Sequence, residues 1–175
     1  VLNIIRFNWH FYVFALVLLL LLIPIASYVN APFNSYLYIL CILATTTTLF
    51  SLLISLYVYD LSGLYNFHWL DVQNTENLIV NINAGFDETS VLLKTKFKNA
   101  ELIALDFYDP LKHTEISIER ARKAYPPFPG TKRTETNSLP LADNSSDKIF
   151  VILAAHEIRN DNEKTAFFKE LYRIL

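Results

Sequence analysis

The residues best suited to chemistry stand at the ends of two apolar runs in the second half of the chain. Residues 77–82 form a β-branched run, and a turn with small residues, Asn83 to Asp87, follows it. Residues 101–106 form a second run that ends in Asp106, 25 positions after Asn81. A strand, a small turn, a helix and a strand ending in a carboxylate can bind the ribose of an adenosine-containing ligand, since the turn lets the ligand approach the backbone. The spacing therefore indicates a candidate nucleotide site, beside the alternative of two ordinary buried strands.

These runs belong to a longer alternation of strands and helices. The pattern predicts strands at 77–82, 101–106 and 147–153, and a short edge strand at 132–136. It predicts helices at 88–97, 114–125 and 162–175, with the Pro-rich segment 126–130 ending the second helix. This alternation favours a parallel sheet with helices on both faces, in which ligands bind beyond the carboxyl ends of the strands. Asp106 and the turn at Gly85 lie at those ends.

Other polar residues have simpler interpretations. His68 and His113 lack a second ligand at metal spacing, so both are interpreted as surface or interface residues. His156 and Glu157 are an acid and base by type, but adjacent side chains point apart in a helix or a strand. Tyr65 either packs at a membrane interface or reaches over the ligand site. Four lysines are interpreted as a solvated face that could also meet anionic headgroups: Lys94, Lys96, Lys98 and Lys112.

Charged residues are almost confined to the second half of the chain. Residues 1–60 contain two, Arg6 and Asp60, and the other 30 of the 32 follow. Two uncharged stretches, at about 9–29 and 36–59, reach the length of about 20 residues that a membrane helix needs. The short connection 30–35 requires the two helices to run antiparallel. The alternatives are a signal peptide, although no cleavage site stands out, and a buried soluble hairpin, although neither stretch has a polar face.

The charge balance and the cysteine content limit the kinds of binding partner and metal site that the sequence predicts. The net charge of −2 provides no basic field for nucleic acid, so no nucleic-acid partner is expected. The single cysteine, Cys41, excludes a disulfide framework and paired thiolate ligands, and no metal site is expected. Since Arg6 precedes the first apolar stretch and all other Lys and Arg follow the second, the positive-inside rule places both ends of the chain in the cytoplasm.

Residues 78–175, or 98 of the 175, resemble a class I S-adenosylmethionine-dependent methyltransferase with a methyltransferase type 11-like domain. Ile79-Val80-Asn81-Ile82-Asn83-Ala84-Gly85-Phe86-Asp87 is similar to the family's strand and glycine-rich turn, and Ala104-Leu105-Asp106-Phe107 to its ribose-binding strand end. Leu139-Pro140-Leu141-Ala142-Asp143-Asn144-Ser145-Ser146-Asp147 resembles the family's LPFxDxSFD stretch, the most specific of the four. Phe168-Lys169-Glu170-Leu171-Tyr172-Arg173-Ile174-Leu175 is similar to the helix before its KPGG turn.

The resemblance implies a role for particular residues. Asp106 would hold the ribose hydroxyls of S-adenosylmethionine, Phe107 would lie against the adenine, and Glu135 and Thr136 near its amino group. His156 would lie on the substrate side. The chemistry is direct displacement at a sulfonium methyl, which depends on holding the nucleophile in line. The implied cofactor-binding set is Asn81, Asn83, Ala84, Gly85, Asp106, Phe107, Glu135 and Thr136.

Three residues depart from the family pattern. Asn81 replaces the usual acid, which weakens a contact to the cofactor's amino group. Asn83 replaces the first glycine, and asparagine is the next best residue for a positive φ. Asp87 replaces the last glycine, where it is expected to cap the following helix. The chain also ends before the family's remaining strands and begins at Val1, so it is expected to be part of a longer or processed protein.

The sequence as a whole predicts an α/β protein: a partial Rossmann-like, parallel-sheet methyltransferase domain preceded by a transmembrane helical hairpin. Residues 1–60 form the membrane anchor, 61–77 a juxtamembrane linker and 78–175 the partial domain. The expected function is methyl transfer from S-adenosylmethionine to a small-molecule or lipid-like acceptor, by an integral membrane protein whose soluble domain is cytoplasmic. The alternatives are a degenerate methyltransferase fold that acts as a membrane-tethered interaction module, and a membrane-hairpin partner whose soluble part is a remnant.

Overall fold

The computed structural model of the protein describes residues 1–73 and 75–175. Asn74, within the predicted linker, lies outside the described residues. The chain forms two compact units, Val1–Leu64 and Tyr65–Leu175.

The first unit is a pair of antiparallel helices, α1 (Leu2–Tyr28) and α2 (Phe33–Leu56), followed by a π-helical turn, Tyr57–Leu61. The backbone nitrogen of Val1 lies 2.7 Å from Asp60 Oδ2, and Ser27 Oγ lies 3.2 Å from the Tyr38 hydroxyl. The start of α1 therefore lies beside the end of α2, and the end of α1 beside the start of α2. Helix α1 begins at Leu2, before the expected residue 9, but it is interrupted at Asn8, whose φ and ψ are non-helical.

Both helices are long and apolar enough to cross a membrane, over Leu2–Tyr28 and Phe33–Asn66. Their large apolar side chains are mostly exposed, so the hairpin does not bury its own hydrophobic surface. The threonines in α2 are compatible with the helix, because the hydroxyls of Thr45, Thr47 and Thr48 donate to carbonyls one turn back. Thr45 Oγ1 lies 2.8 Å from Cys41 O, and Thr48 Oγ1 lies 2.8 Å from Ala44 O.

The second unit contains a four-stranded parallel sheet, which confirms the predicted α/β class. Its strands are β1 (Leu78–Asn83), β2 (Glu101–Asp106), β3 (Lys132–Arg133) and β4 (Lys148–Phe150), in the order β3-β2-β1-β4. The chain moves outward from β1 to β2 and β3, then returns to the other side of β1 as β4. The direction of winding therefore reverses between β1 and β4.

Alternate residues of β1, β2 and β4 enter two separate hydrophobic clusters, one on each face of the sheet. Val80, Ile82 and Leu105 pack with Phe167 and Ile174 of α5 (Asp161–Ile174) on one face. On the other face, Ile79 and Phe150 of the sheet pack with Leu93 of α3 (Ser90–Lys96). Phe97 and Phe67 complete this cluster. A helix on each face is what the sequence predicts. The remaining helix, α4 (Ile116–Ala124), follows β2 and buries Ala121.

Two predicted strands are shorter than expected. The edge strand at 132–136 ends at Arg133 because Thr134 to Ser138 form a tight turn, in which Glu135 and Ser138 bridge each other. The strand at 147–153 is reduced to Lys148–Phe150. Residues 151 and 152 still pack into the two clusters, and the chain turns away at Leu153, whose φ is +52°.

Much of the predicted linker packs on the second unit. Phe67 is buried, and its ring lies 6.0 Å from that of Trp69. Lys148 Nζ donates to the Asp71 carbonyl at 2.7 Å and to Glu76 Oε1 at 2.5 Å. The hydrogen bond from Lys148 lowers the pKa of Glu76 to about 2.

Candidate functional site

The candidate site is built on the carboxyl ends of β1 and β2. The last residues of these strands, Asn83 and Asp106, are register partners, and the Phe107 amide donates to the Asn83 carbonyl at 3.0 Å. The turn that follows β1 contains Gly85, whose φ of +103° favours glycine. The expectation of a positive φ at Asn83 is wrong, because Asn83 is extended within β1. Its Oδ1 accepts from the Gly85 amide at 3.1 Å and so holds the turn through its side chain.

Arg122 of α4 joins the turn to Asp106. Its Nη1 lies 2.6 Å from Asp106 Oδ2 and 2.9 Å from the Gly85 carbonyl oxygen. Its guanidinium carbon lies 4.3 Å from the centre of the Tyr108 ring, within the range of a cation–π contact. The carboxylate is mostly buried, since 11% of the Asp106 side chain is exposed, against 35% of the Arg122 side chain.

Tyr108 fills the space beside the glycine. Its amide donates to Asp106 Oδ1 at 2.9 Å, so both carboxylate oxygens of Asp106 have partners within the chain. A Cβ atom at Gly85 would lie 2.7 Å from Tyr108 Cδ2. Glycine is therefore required here both by its φ and by the approach of this ring. Ala84, the other small residue of the turn, is buried in the cluster that includes Leu105.

Asn81 and Asp87 form a polar network under the same turn. The buried Asn81 Nδ2 lies 2.9 Å from Thr89 Oγ1, 2.8 Å from Ser90 Oγ and 3.3 Å from Asp87 Oδ1. Asp87 Oδ1 also accepts from the amides of Thr89 and Ser90, which confirms that it caps α3. Three buried atoms here have no hydrogen-bond partner among the described residues: Asn81 Oδ1, Asn83 Nδ2 and Asp87 Oδ2.

Phe107 lies in the hydrophobic core. Its ring is 5.6 Å from that of Phe167 and 5.8 Å from that of His113, and it belongs to the cluster around Leu105. The interpretation of His113 as a surface residue is wrong, since 4% of it is exposed. Its Nδ1 accepts from the Asp109 amide at 2.9 Å, so the ring is fixed in place as part of the wall beside Phe107. His68 is exposed, as the sequence predicts.

A cavity of about 1390 Å³ lies beside this wall. Three segments line it: 107–113 after β2, 133–140 around the turn after β3, and 157–166 at the start of α5. Of the predicted cofactor-binding residues, Phe107, Glu135 and Thr136 line the cavity. Asn81, Asn83, Ala84, Gly85 and Asp106 are placed together at the turn instead. The structure thus divides the predicted residues into a turn group and a cavity group.

Glu163 is the most connected acid of the cavity. Its Oε1 accepts from Thr136 Oγ1 at 2.7 Å and from Lys112 Nζ at 2.9 Å. The hydrogen bond from Thr136, followed by that from Lys112, lowers the pKa of Glu163. The same ion pair raises the pKa of Lys112. Lys112 therefore belongs to this cavity rather than to the solvated face with which the sequence grouped it.

His156 lies outside the lining of the cavity, on a 3₁₀ turn formed by Ala155–Glu157. Its Nε2 lies 3.1 Å from Glu157 Oε1, so the expectation that these two side chains point apart is wrong. Glu157 lines the cavity and His156 is exposed, which makes Glu157 the residue of this pair that faces the cavity.

The Leu139–Asp147 segment is fastened to the end of α5. Arg173 Nη2 donates to the Leu139 carbonyl at 3.0 Å, and its Nη1 donates to the Leu141 carbonyl at 2.8 Å. Glu170 Oε2 accepts from the Leu139 amide at 2.8 Å and from Arg173 Nη2 at 2.8 Å. The hydrogen bond from Arg173 lowers the pKa of Glu170. At the other end of the segment, Asp147 Oδ2 accepts from the amide that starts β1, Leu78, at 2.8 Å.

The sequence did not single out Arg122, Tyr108 or Glu163. For Tyr108 a signal was present, because side chains alternate along an extended chain and Leu105 and Phe107 share the core face. Tyr108 then follows Asp106 on the other face. For Arg122 there was none, because α4 has too few apolar residues to fix its rotation. For Glu163 there was one, because Phe167 and Ile174 mark the core side of α5 and Glu163 lies one turn before Phe167.

Among the residues that the structure describes, no group of three His, Cys, Asp or Glu side chains is arranged to hold a metal ion. No protein-family model matches the chain, and no curated protein sequence matches it.

Proposed function

We propose that residues 78–175 are an S-adenosylmethionine-dependent methyltransferase domain of Rossmann-like fold, attached to a membrane by the N-terminal hairpin and facing the cytoplasm. Its acceptor is a small molecule or a lipid-like compound in the membrane. One observation supports the proposal above all. The buried carboxylate of Asp106 lies beside the turn that contains Gly85, at the carboxyl edge of a parallel sheet. A single nitrogen of Arg122 contacts both Asp106 and Gly85, so one ligand could also reach both.

The strand order supports the fold part of the proposal. A doubly wound nucleotide-binding sheet begins with the order 3-2-1-4, with its ligand at the carboxyl ends of the strands beside the point where the order reverses. The order β3-β2-β1-β4 is the same. Asn83, at the end of β1, and Asp106, at the end of β2, are next to that point.

The polar atoms of the turn fit the cofactor. Asn81 Oδ1 and Asp87 Oδ2 are buried acceptors, and Asn83 Nδ2 is a buried donor, with no partner among the described residues. The amino-acid end of S-adenosylmethionine carries an ammonium group and a carboxylate, which pair with such acceptors and donors. At Asp106 a ribose diol has to displace the guanidinium of Arg122, whose side chain is long and partly exposed.

In this proposal the chain binds and orients, and the cofactor supplies the methyl group on its sulfonium. Asp106 accepts the ribose hydroxyls, and the network of Asn81, Asn83 and Asp87 holds the amino-acid end. Glu135 and Thr136 form the wall of the cavity, where the acceptor or the adenine would be enclosed. Holding the nucleophile in line with the methyl group accounts for the rate enhancement without a covalent intermediate on the protein.

The test is calorimetric titration of S-adenosylmethionine into the full chain in detergent. Wild type is expected to bind, and Asp106→Ala to lose binding at least about tenfold, as expected for loss of a charge-assisted hydrogen-bond pair. Glu101→Ala is the matched control, because Glu101 is an exposed acid at the other end of the same strand. Asp106→Asn keeps an acceptor for the Tyr108 amide, so it separates loss of the ligand contact from loss of the fold.

A second function is favoured by the contacts of Asp106 with its own chain. Both of its oxygens are paired, and the Tyr108 ring packs against the Gly85 turn. A site filled by its own side chains is what a degenerate methyltransferase fold, kept as a membrane-tethered interaction module, would contain. A folded wild-type chain that does not bind S-adenosylmethionine would support this function over the enzyme.

A further inference from the structure

We propose that the outer face of α3 docks on an anionic lipid surface. The outer face is defined as Val91, Leu92, Lys94, Lys96 and Lys98. It lies outside the candidate site, and the proposal does not depend on methyl transfer. Two aliphatic side chains are exposed on this face, lysines surround them, and the chain connects this unit to the apolar helices.

The exposed apolar side chains of α3 lie opposite its buried side. Leu93 and Phe97 pack against the sheet, whereas Val91 is 64% exposed and Leu92 is 38% exposed. Thr95 lies on the same outward side, since it is one turn from Val91. Its hydroxyl donates to the Val91 carbonyl at 2.9 Å, so its methyl group adds to the apolar strip.

Lysines flank this strip, and no acid interrupts them. Residues 91–98 contain Lys94, Lys96 and Lys98 and no Asp or Glu. Lys94 Nζ donates to the Ala100 carbonyl at 2.7 Å, which closes the end of the helix. Lys98 lies two residues beyond the end of the helix and is exposed. An apolar strip with lysines at its edges is the pattern of a surface that lies at the headgroup level of an anionic bilayer.

An exposed aromatic residue lies on the same face of the sheet. Trp69 is 58% exposed, and its ring contacts Phe67, which is buried in the cluster of Leu93 and Phe97. Tryptophan is enriched at membrane interfaces because its ring is apolar and its N–H is polar. Trp69 follows the last residue of the apolar helical segment, Asn66, by three positions, so the chain keeps it within about 10 Å of that residue.

Because the domain is connected to the membrane helices, a surface with weak affinity for lipid is sufficient to hold it on the bilayer. A lysine near an anionic surface strengthens binding about fivefold, and such attraction acts within about one Debye length. Because the second unit is attached to helices that can cross the bilayer, docking is intramolecular, and short connections give effective concentrations in the millimolar range. A small apolar strip with three lysines then suffices to hold the domain on anionic lipid.

The experiment places an environment-sensitive fluorophore on the outer face in the full chain. Cys41 is the only cysteine, so Cys41→Ser with Val91→Cys gives one labelling position. The protein is reconstituted in nanodiscs of phosphatidylcholine with or without phosphatidylserine, and both contain a brominated lipid that quenches the label on contact. A label at Tyr172→Cys, an 84% exposed position on α5, shares the same membrane connection and serves as the positional control.

We expect quenching of the label at position 91 in the anionic discs alone, with its loss at high salt, and no quenching at position 172. Lys96→Glu with Lys98→Glu should lower the ratio of docked to undocked protein by at least about 25-fold. This pair leaves the Lys94 bond to Ala100 intact. Lys164→Glu with Lys169→Glu on α5 is the matched charge change and should leave quenching unaltered.

Two results overturn the proposal. One is a label at position 91 that stays unquenched in anionic discs, because the face is then exposed to water. The other is quenching that is equal in both lipids and insensitive to the lysine pair, because the contact then does not need anionic lipid.

Discussion

At the scale of single residues, the state of the candidate site depends on Arg122. Its guanidinium contacts the carboxylate of Asp106, the carbonyl of Gly85 and the ring of Tyr108. The acceptors of the candidate site, the Asp106 carboxylate and the Gly85 carbonyl, are therefore both occupied by the guanidinium of Arg122. A ligand that uses Asp106 must compete with this ion pair.

Arg122→Gln should strengthen binding of S-adenosylmethionine. A partly exposed ion pair contributes roughly 1 kcal/mol, so its removal should raise the affinity about fivefold. Calorimetric titration measures this change. Lys123→Gln is the control, since Lys123 is the next residue on α4 and pairs with Glu119 at 2.6 Å, away from Asp106. Unchanged affinity in Arg122→Gln would show that Arg122 does not compete for the carboxylate.

Glu76 should make the stability of the second unit depend on acid pH. Its pKa is lowered from 4.5 to about 2, mainly by the hydrogen bond from Lys148. Because the folded value is below the unfolded value, the stabilisation is complete above about pH 5 and is lost as the pH falls through about 2. Glu76→Gln should flatten this dependence. Urea titrations from pH 6 to pH 2 can follow it through Trp69 fluorescence in a Trp9→Phe background, and equal slopes for the two proteins would contradict it.

At the scale of elements, α5 fixes the segment that resembles the family's most specific motif. Glu170 and Arg173 together hold the amide and carbonyl of Leu139. Beyond them, the amides of Ser145 and Ser146 donate to the Ile174 carbonyl at 2.9 Å each. The segment and the helix therefore form one structural unit.

Glu170→Ala should destabilise that unit by about 2 kcal/mol, because it leaves the Leu139 amide without its acceptor and removes one of the two anions paired with Arg173. Chemical denaturation of the full chain in detergent measures the loss. Lys169→Ala, at the neighbouring exposed position, should change the stability by less than about 0.5 kcal/mol. If the two variants are equally stable, Glu170 does not support the segment.

The elements themselves could be predicted from the sequence, and the rotation of α4 could not. The apolar runs of β1 and β2 predict that these strands are buried. The alternation of strands and helices along the chain predicts that the sheet is parallel. The positions of β3 and β4 were correct, but their lengths depend on the turn at Glu135 and on Leu153, which no periodicity signals. Arg122 lies on α4, where Ile116 is half exposed and Ala121 faces the core, so the apolar pattern does not orient the helix. The ion pair between Arg122 and Asp106 therefore depends on how α4 packs in the tertiary structure, which the sequence does not predict.

At the scale of the molecule, two compact units of different composition share one chain. The first exposes aliphatic side chains along two long helices, and the second encloses a sheet between two clusters. The uneven distribution of charge predicts an apolar part and a polar part of the chain. It does not predict that residues 65–73 pack on the second unit, because Phe67 packs against residues that are distant in the sequence, such as Leu93 and Phe150.

The proposed topology gives a labelling prediction. In a Cys41→Ser background, Ser35→Cys in the first turn of α2, beside the hairpin connection, should react with an impermeant maleimide added outside intact cells. Tyr172→Cys should react only after the cells are opened, because the Lys and Arg residues that follow the hairpin hold that side in the cytoplasm. Labelling of position 172 in intact cells would reverse the orientation.

Binding of S-adenosylmethionine at the carboxyl edge of the sheet can be located by hydrogen–deuterium exchange of the full chain with and without the compound. We expect slower exchange in residues 83–90 and 106–108 at saturating ligand, with no change in α1 or α2. Asp106→Asn should abolish this protection, and Glu101→Ala should keep it. Exchange that is unchanged throughout the chain, or protection confined to other segments, would show that the compound does not bind at this edge.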